Sequence, residues 1–476
     1  MPNPPISAAS LVNLSATEMA QLVREKQVSP MALVQAHLDR IEFLNPKINA
    51  FATINSGKAL EDARQAEAAL MRGDTDKPLL GVPITIKSCI DVQGMRCPAG
   101  SRLREDYVAA SDAPLVARLK AAGAIVIGNT STPEFLMAYH TENDLQGRTN
   151  NPWNLARTPG GSSGGEAAAI ASCMSAAGIG SDGGGSIRVP AHFSGICGLK
   201  PTPGRVPSTG HYPGSGGPFS LIGVVGPMAR TVEDLRLLFQ VTAGYEVGDP
   251  VSVPLSFEAM KLDAAKKLRV GFYDKDGYTS TSPETRAAVR AAATALHDAG
   301  FIVDAFRPEG LDQARDLWRI IFVQGCAMAF APTIEGRKDK LSHNMKEFLG
   351  LAAEQPPLTG KLLLNTLLDR DQLRSRFLSQ MEQFPILLAP VCSIPAFPHN
   401  EAGWGQKHGA DYMRTMTYSQ HYNLLGNPAV VVPIGRSTEG LPIGIQVIGR
   451  PYKEDEVLAV AAVLDKQFGW KGAPLL

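Results

Sequence analysis

The sequence has no excess of charge and no apolar run long enough to cross a membrane. Lys and Arg together number 46, as do Asp and Glu, so the net charge is zero with histidine neutral. This balance argues against the basic surface that binds nucleic acid or an anionic membrane. Apolar runs such as "KLLLNTLL" are far too short to span a bilayer. We therefore predict neither a nucleic-acid partner nor a membrane span.

The sequence also lacks the cysteine spacing that is typical of zinc sites and disulfide frameworks. Its six cysteines are scattered, without a Cys-x-x-Cys pair: Cys89, Cys97, Cys173, Cys197, Cys326 and Cys392. Reduced thiols in a cytoplasm are the simplest interpretation. The N-terminus shows no basic stretch followed by an apolar run, so we predict no signal peptide and a cytoplasmic protein.

Strand and helix patterns alternate along the 476 residues. "GVPITIK" (81–87) and "AIVIGNT" (124–130) are typical of buried strands, and a helical pattern separates them. A second strand-and-helix pattern starts after residues 251–267, which mark a candidate boundary, and helical segments follow to about residue 381. This order predicts an α/β fold with a mixed central sheet surrounded by helices. We expect the helical middle to form a lid or pocket wall.

Two glycine-rich loops carry the serines with the most distinctive surroundings. "TPGGSSGG" (158–165) is either a linker or part of a nucleophile site whose base lies elsewhere. "DGGGS" (182–186) follows about twenty residues later, and its glycines let backbone N–H groups turn inward. The N–H groups of Gly183, Gly184, Gly185 and Ser186 could therefore hold an oxyanion, each donor being worth about 3 kcal/mol in the transition state.

A serine nucleophile needs a base, and Lys87 at the end of "GVPITIK" is a candidate. A free lysine has a pKa of about 10.4, but burial disfavours its charge and a pKa of about 7–8 would make it a usable base. Ser162 could relay the proton between the amine and the nucleophile. The alternative is an ordinary lysine that extends from the strand end to solvent.

Two other kinds of site fit the sequence less well. "GIGSDG" (178–183) matches a dinucleotide-binding pattern, but the segment before it resembles a helix and no acidic residue lies between 183 and 232. A serine–histidine hydrolase of the nucleophile-turn type has Gly-x-Ser-x-Gly between a strand and a helix. Ser186 lacks this pattern, and "GGSSG" around Ser162 has the letters but no strand-like apolar run before it. His140 and His192 lie near the loops, where a histidine is more often structural than catalytic.

Three motifs together resemble a known family. "GGSSGGEAAAIA" (160–171), followed by "GSDGGGSIRVPAHFSGICGLKPT" (180–202), is similar to the signature block of the amidase signature family of serine hydrolases. "GVPITIKSCID" (81–91) resembles the family's lysine-bearing strand, and "NLLGNPAVVVPIG" with "LPIGIQVIGRP" extends the likeness towards the C-terminus. The resemblance implies one amidase domain over 1–476, with a helical cap for substrate at about 250–380, where the match is only general.

The resemblance also implies a Ser–cis-Ser–Lys triad. It makes Ser186 the nucleophile, Ser162 the bridging serine after a cis peptide, and Lys87 the general base. The implied oxyanion hole consists of Gly183, Gly184, Gly185 and Ser186, with Gly161, Ser163, Asp182 and Arg188 in supporting roles. Gly183 departs from the family, which more often has threonine or isoleucine there, and this widens the cleft or loosens the hole.

The implied reaction is hydrolysis of an amide through a serine acyl-enzyme, with no metal or other cofactor. Carbamates (urethanes) and esters remain alternative substrates because they share the tetrahedral intermediate. A role as the amidase subunit of a tRNA-dependent amidotransferase is a further alternative. We expect Leu136, Met137 and Phe219 to line the pocket for a small-molecule substrate, although they could equally belong to the core. A homodimer is left open.

Overall fold

The computed structural model describes residues 8–214, 216–399 and 409–474. The first seven residues, on which the signal-peptide prediction partly rests, lie outside the described residues, as do the two ends of the predicted 1–476 domain. The strands are β1 (Phe51–Ile54), β2 (Pro83–Lys87), β3 (Ile125–Thr130), β4 (Glu142–Asn143), β5 (Gly147–Arg148), β6 (Ala177–Asp182), β7 (Cys197–Lys200), β8 (Val224–Ala229), β9 (Arg269–Phe272), β10 (Ile302–Ala305), β11 (Ile386–Pro390), β12 (Ala429–Arg436) and β13 (Pro442–Gly449).

The helices flank these strands along the whole described chain. They are α1 (Ala8–Leu11), α2 (Ala16–Arg24), α3 (Pro30–Ile48), α4 (Ser56–Met71), α5 (Pro114–Ala121), α6 (Gly164–Ala171), α7 (Arg188–Ser194), α8 (Val232–Thr242), α9 (Leu262–Ala265), α10 (Pro283–Asp298), α11 (Leu311–Arg319), α12 (Gly325–Ile334), α13 (His343–Ala353), α14 (Gly360–Met381), α15 (Gly409–Thr415), α16 (Thr417–Leu424) and α17 (Glu454–Gln467). Short 3-10 turns lie at Arg102–Arg104, Glu134–Leu136, Gly217–Leu221 and Lys338–Lys340, and a π-helical segment (Ile320–Gln324) joins α11 to α12.

Eleven strands form one mixed sheet, in the order β1-β3-β2-β6-β8-β7-β12-β13-β11-β9-β10. β2 runs parallel to both β3 and β6, whereas β8, β7, β12 and β13 pair antiparallel with their neighbours. Alternate residues of β11 enter different apolar clusters, Ile386 and Leu388 in one and Leu387 and Ala389 in the other. Both faces of the sheet are therefore covered, which confirms the predicted α/β fold with a mixed central sheet surrounded by helices.

The pairing of β2 with β6 positions the candidate site. Lys87 is the last residue of β2 and Asp182 is the last residue of β6. Because parallel strands end at the same edge of a sheet, the loops that follow β2 and β6 lie side by side. The serine-rich loop before α6 reaches the same edge, since Ser163 N–H donates to the carbonyl of Ser186 at 3.1 Å.

The segment from Gly178 to Gly183 differs from its sequence-based interpretation. The helix starts at Gly164 and ends at Ala171, and "GIGSD" then lies inside β6 rather than after a helix. A dinucleotide-binding turn must follow a strand and open a helix, so these glycines do not form one. They instead allow close packing: a Cβ at Gly180 would lie 2.8 Å from Ser163 Oγ.

The region of about 250–380, predicted to form a helical cap, is not helical throughout. β9, α10 and β10 lie within that region, but β9 and β10 are strands of the central sheet and α10 packs on it. The helices α11 to α14 follow β10. Within the described residues one helix, Leu311–Ile334, is long and apolar enough to cross a membrane by length and composition, but this is weak evidence because core helices pass the same test.

Candidate active site

Lys87 does not extend to solvent, because its side chain is completely buried. Its Nζ donates to Ser162 Oγ at 2.7 Å and to Ser181 Oγ at 3.1 Å. The amine thus lies between a hydroxyl of the "GGSSGG" loop and a hydroxyl of β6. The structure brings together two of the three residues to which the resemblance assigns the triad.

Burial lowers the pKa of Lys87 to about 8, from an ordinary value of 10.5. Cys89, Asp182 and Glu166 act against this effect, because negative charge nearby favours the ammonium form. Desolvation is the larger effect, so a substantial fraction of the amine is neutral near pH 8. This is the protonation state that a general base requires.

Ser162 is held from its backbone as well as by its hydroxyl. The Gly161–Ser162 peptide bond is cis, as the resemblance implies. The carbonyl of Ser162 accepts a hydrogen bond from Thr132 Oγ1 at 2.8 Å. A Cβ at position 161 would lie 2.6 Å from the carbonyl oxygen of His140, so only glycine fits beside this serine.

Asp182 and Arg188 lock the loop that carries Ser186. Arg188 donates to both carboxylate oxygens of Asp182 at 3.0 Å, and both side chains are fully buried. Burial alone would raise the pKa of Asp182, but the charge and hydrogen bonds of Arg188 hold it well below its usual range. The same carboxylate accepts N–H bonds from Gly185 at 2.7 Å and Ile187 at 3.1 Å.

These contacts correct the expected oxyanion hole at one position. The N–H of Gly185 donates to Asp182, so it is not available for an oxyanion. Trp318 Nε1 donates to the carbonyl of Gly183, and Tyr139 Oη to that of Gly184, each at 2.9 Å. Both bonds fix the orientation of the loop's peptide planes. The candidate donors that remain are the N–H groups of Gly183, Gly184 and Ser186.

A cavity of about 290 Å³ opens next to these loops. Ser162, Ser181, Asp182, Gly183 and Ser186 line one end of it, and Leu136, Met137 and Phe219 all lie along its walls. Its further lining residues are His211, Tyr212, Pro213, Gly214, Ile222, Gly223, Val224, Phe322, Cys326, Ala329, Phe330 and Thr333. Ser186 is partly exposed, so a substrate in the cavity can reach its hydroxyl.

The histidines near the loops have structural surroundings. His192 accepts the Gly444 N–H on Nδ1 at 2.7 Å and its Nε2 lies 3.1 Å from the carbonyl oxygen of Ile394, in complete burial. Burial lowers the pKa of both His140 and His192 to about 4. Neither residue lines the cavity, whereas His211, which the sequence analysis did not select, does.

Sequence reasoning missed several residues that shape the site. Asn423 Nδ2 donates to Asp182 Oδ1 at 2.9 Å and to the carbonyl of Ile222 at 3.0 Å. Glu166 accepts hydrogen bonds from the hydroxyls of Thr85 and Thr130. Glu166 directly follows "GGSSGG" and Asn423 opens "NLLGNP", so both lie in quoted motifs. Trp318 and Phe322 belong to no motif.

Within the described residues, no group of three or more metal-binding side chains is found.

The fold and the site together define a class of hydrolase, and the family comparison agrees. A family model described as Amidase matches residues 32–458, which is most of the chain. The chain therefore belongs to the amidase signature family. Members of this family are enzymes that hydrolyse amides.

Individual relatives cover nearly the whole chain. The chain is 31% identical over 484 residues to a glutamyl-tRNA(Gln) amidotransferase subunit of Geotalea daltonii, covering 97% of this chain and 98% of the relative. It is 34% identical to indoleacetamide hydrolase of Bradyrhizobium diazoefficiens, covering 96% of this chain and 86% of the relative. Among solved structures, 6-aminohexanoate cyclic dimer hydrolase matches with a TM-score of 0.85 and 28% identity, covering 97% and 98% of the two chains.

Proposed function

We propose that this chain hydrolyses the C–N bond of a carboxylic amide through an acyl-enzyme formed on Ser186. One observation carries the proposal: the buried Lys87 amine lies 2.7 Å from the Oγ of Ser162, and Ser162 lines a cavity together with Ser186. This arrangement supplies a nucleophile, a relay hydroxyl and an amine that burial makes partly neutral.

The proposed reaction begins with proton transfer. Neutral Lys87 accepts the proton of Ser162, and Ser162 Oγ accepts that of Ser186 as the Ser186 oxygen attacks the carbonyl carbon. The carbonyl oxygen becomes an oxyanion held by the N–H groups of Gly183, Gly184 and Ser186. The proton then returns through Ser162 to the leaving nitrogen as the C–N bond breaks. Water, activated by the same relay, hydrolyses the ester bond to Ser186.

Site-directed variants test this assignment. We expect Ser186→Ala to abolish amide turnover and Ser162→Ala to lower kcat/KM by about 10²–10⁴-fold, the usual contribution of a positioned proton-transfer group. A fluorophosphonate probe should label Ser186 in the unsubstituted protein and not in Ser186→Ala. Full turnover by Ser186→Ala, with a folded protein by circular dichroism, would contradict the proposal.

The substrate within this reaction class is a second part of the proposal. Carbamates (urethanes) and esters form the same tetrahedral intermediate, so the triad alone does not separate them from linear amides. A screen across aryl amides, fatty amides, primary amides, carbamates and esters, with Ser186→Ala as the blank, ranks them by kcat/KM. A preference for carbamates or esters would replace the amide assignment while leaving the nucleophile unchanged.

Membership of an amidotransferase complex is the second candidate function. It is favoured by the 31% identity, over 97% of this chain, to a glutamyl-tRNA(Gln) amidotransferase subunit. Asp182 is the only described cavity-lining residue with a charged side chain, and it is paired with Arg188. That surface supplies no free partner for the charged ends of glutamine. Copurification of partner chains with glutaminase activity would favour this candidate, and activity of the isolated chain on apolar amides would oppose it.

A cytoplasmic location and a single domain complete the proposal. All six cysteines are free and buried, which suits a reducing compartment. Strands from both sides of residues 251–267 pair in one sheet, which supports one domain rather than two. Limited proteolysis tests the second point, because a single domain should show no stable fragment cut within 251–267.

A further inference from the structure

The cavity next to Ser186 is polar at one end and apolar over most of its wall. Ser162, Ser181 and Ser186 line the polar end. Three phenylalanines line the walls together with aliphatic side chains: Phe219 from the turn before β8, and Phe322 and Phe330 from the helix Leu311–Ile334. Burial lowers the pKa of His211 to about 4, so this cavity residue is uncharged at neutral pH. The apolar part is therefore suited to an uncharged group.

Phe322 lies directly against the nucleophile loop. A Cβ at Gly183 would be 2.9 Å from Cε2 of Phe322, closer than real Cβ contacts. Any residue other than glycine at position 183 must push this ring away. Glycine at position 183 therefore has a structural consequence, because it allows an aromatic ring to occupy space beside the candidate oxyanion donors.

Trp318 holds the Phe322 ring in that place from behind. The two rings stack with centroids 4.6 Å apart and an interplanar angle of 12°. Trp318 is itself fixed to the loop, because its Nε1 donates to the carbonyl of Gly183 at 2.9 Å. A Cβ at Gly184 would lie 2.5 Å from Cζ2 of Trp318. Gly184 therefore leaves space for the indole of Trp318, as Gly183 leaves space for the ring of Phe322.

The other two rings have supports of their own. Phe330 stacks on Phe135 with centroids 5.0 Å apart and an interplanar angle of 17°. Phe219 packs against Gly325: a Cβ at Gly325 would be 3.2 Å from Cζ of Phe219. Flat, fixed aromatic walls favour a flat aromatic ligand, because offset and edge-to-face ring contacts add to the gain from burial.

The geometry points to a flat, uncharged aromatic group as the part of the substrate that fills this cavity, with Phe322 selecting it and Gly183 allowing Phe322 to remain there. This inference rests on the proposed hydrolysis at Ser186. It assigns the substrate class as an amide that carries an aryl ring beside the scissile bond, either on the acyl side or on the amine side.

Matched substrates test the inference. Benzamide and cyclohexanecarboxamide differ in the flatness of the acyl ring, and acetanilide and N-cyclohexylacetamide differ in the same way on the amine side. Intrinsic reactivity differs within each pair but is the same for every variant, so the measured quantity is the change in the kcat/KM ratio on substitution. We expect Phe322→Leu, which keeps apolar volume but loses the flat face, to lower the aromatic preference on the order of fivefold in at least one pair.

Gly183 supplies the second half of the test. Gly183→Ala should lower the aromatic preference in the same pair, whatever it does to overall turnover. The double variant Gly183→Ala with Phe322→Leu should be no less selective than Phe322→Leu alone, because the ring that the new Cβ displaces is already absent. Met328→Leu is the matched control, since Met328 lies on the same helix but is 58% exposed. It should leave the ratio unchanged.

The outcomes separate the inference from the proposed function. Ser186-dependent turnover with the same ratio in Phe322→Leu as in the unsubstituted protein overturns the inference alone. Turnover that survives Ser186→Ala overturns the proposed function, and the inference with it. Where turnover is slow, calorimetry on Ser186→Ala measures binding of the same four probes, and loss of aromatic preference in Ser186→Ala/Phe322→Leu supports the inference, whereas equal binding of both rings by Ser186→Ala contradicts it.

Discussion

Two buried lysines of this molecule, Lys87 and Lys200, have similar positions in the fold but different hydrogen-bond partners. Each is the last residue of a strand of the central sheet, and each is completely buried. Burial lowers the pKa of Lys87 to about 8 and that of Lys200 to about 7. At pH 7 a larger fraction of Lys200 than of Lys87 is therefore neutral.

The two lysines differ in the groups that their amines contact. Lys87 Nζ donates to the hydroxyls of Ser162 and Ser181, and both serines line the cavity together with Ser186. Lys200 Nζ donates to the carbonyl of Pro201 at 3.0 Å, and the charges that affect its pKa are those of Arg188, Asp182 and Glu454. A lowered pKa therefore indicates burial, and only contact with a reactive hydroxyl at a cavity indicates a role in catalysis.

The largest expected effect compares the same substitution at both lysines. Lys87→Met should lower kcat/KM for an amide by about 10³-fold or more, because it removes the base and keeps an apolar chain of similar length. Lys200→Met should retain most of the activity. Steady-state kinetics on both folded variants make the comparison. Equal loss at the two positions would mean that burial of an amine, and not its contact with Ser162, is what the enzyme uses.

A smaller effect concerns the pH at which Lys87 becomes active. Because burial lowers the pKa of Lys87 to about 8 and the neutral amine is the proposed base, kcat/KM should rise with pH to a plateau, with a midpoint near 8. Glu166, Asp182 and Cys89 oppose the lowering. Burial raises the pKa of Glu166 to about 7, so Glu166 is mostly ionised at that midpoint.

Glu166→Gln should therefore move the midpoint to lower pH, because it removes a negative charge that favours the ammonium form of Lys87. Glu134→Gln is the matched control. Glu134 is also buried, but its oxygens accept from Ser101 Oγ and the Ser342 N–H. A purely structural role for Glu166 would lower kcat without moving the midpoint, and an upward shift would reverse the assigned sign.

The smallest expected effect is on stability. Lys200 loses its proton near pH 7 in the folded chain but keeps it to about 10.4 when unfolded. The unfolded state thus binds one more proton between these values, so this residue raises the free energy of unfolding with pH by about 1.4 kcal/mol per pH unit. Lys200→Met should flatten that slope between pH 7 and 10 in urea titrations. An unchanged slope would show that Lys200 stays charged when folded.

Much of the fold and half of the site were predictable from local patterns. Helix α2 begins with a capping box of Ser15 and Glu18, which the local pattern Ser-x-x-Glu indicates, and Ser29 before Pro30 caps α3. The apolar runs that end at Lys87 and Thr130 are strands. Strand β8 was not predicted, because its glycine and proline resemble the loop before it, and pairing with β6 and β7 outweighs that local preference.

The missed parts of the site come from residues distant in sequence. Trp318 and Phe322 lie on the helix Leu311–Ile334, more than 130 residues after Gly183. They nevertheless pack directly on the loop that carries Gly183 and Ser186. Asn423 reaches Asp182 across 241 residues. Such contacts carry no local periodicity, so neither spacing nor composition indicates them. The engaged N–H of Gly185 was missed for a different reason: Asp182 is only three residues away, but only the folded loop shows that its carboxylate accepts this N–H.

By itself the sequence determined which residues are candidates for the chemistry: a lysine at the end of an apolar strand, and serines in glycine-rich loops whose backbone can turn inward. Tertiary structure alone decided that the lysine is buried beside a hydroxyl, which N–H groups stay available, and which rings enclose the cavity. The physical reason is that residue type and backbone freedom are local properties. Desolvation, hydrogen-bond occupancy and steric space depend on chain segments that meet only on folding.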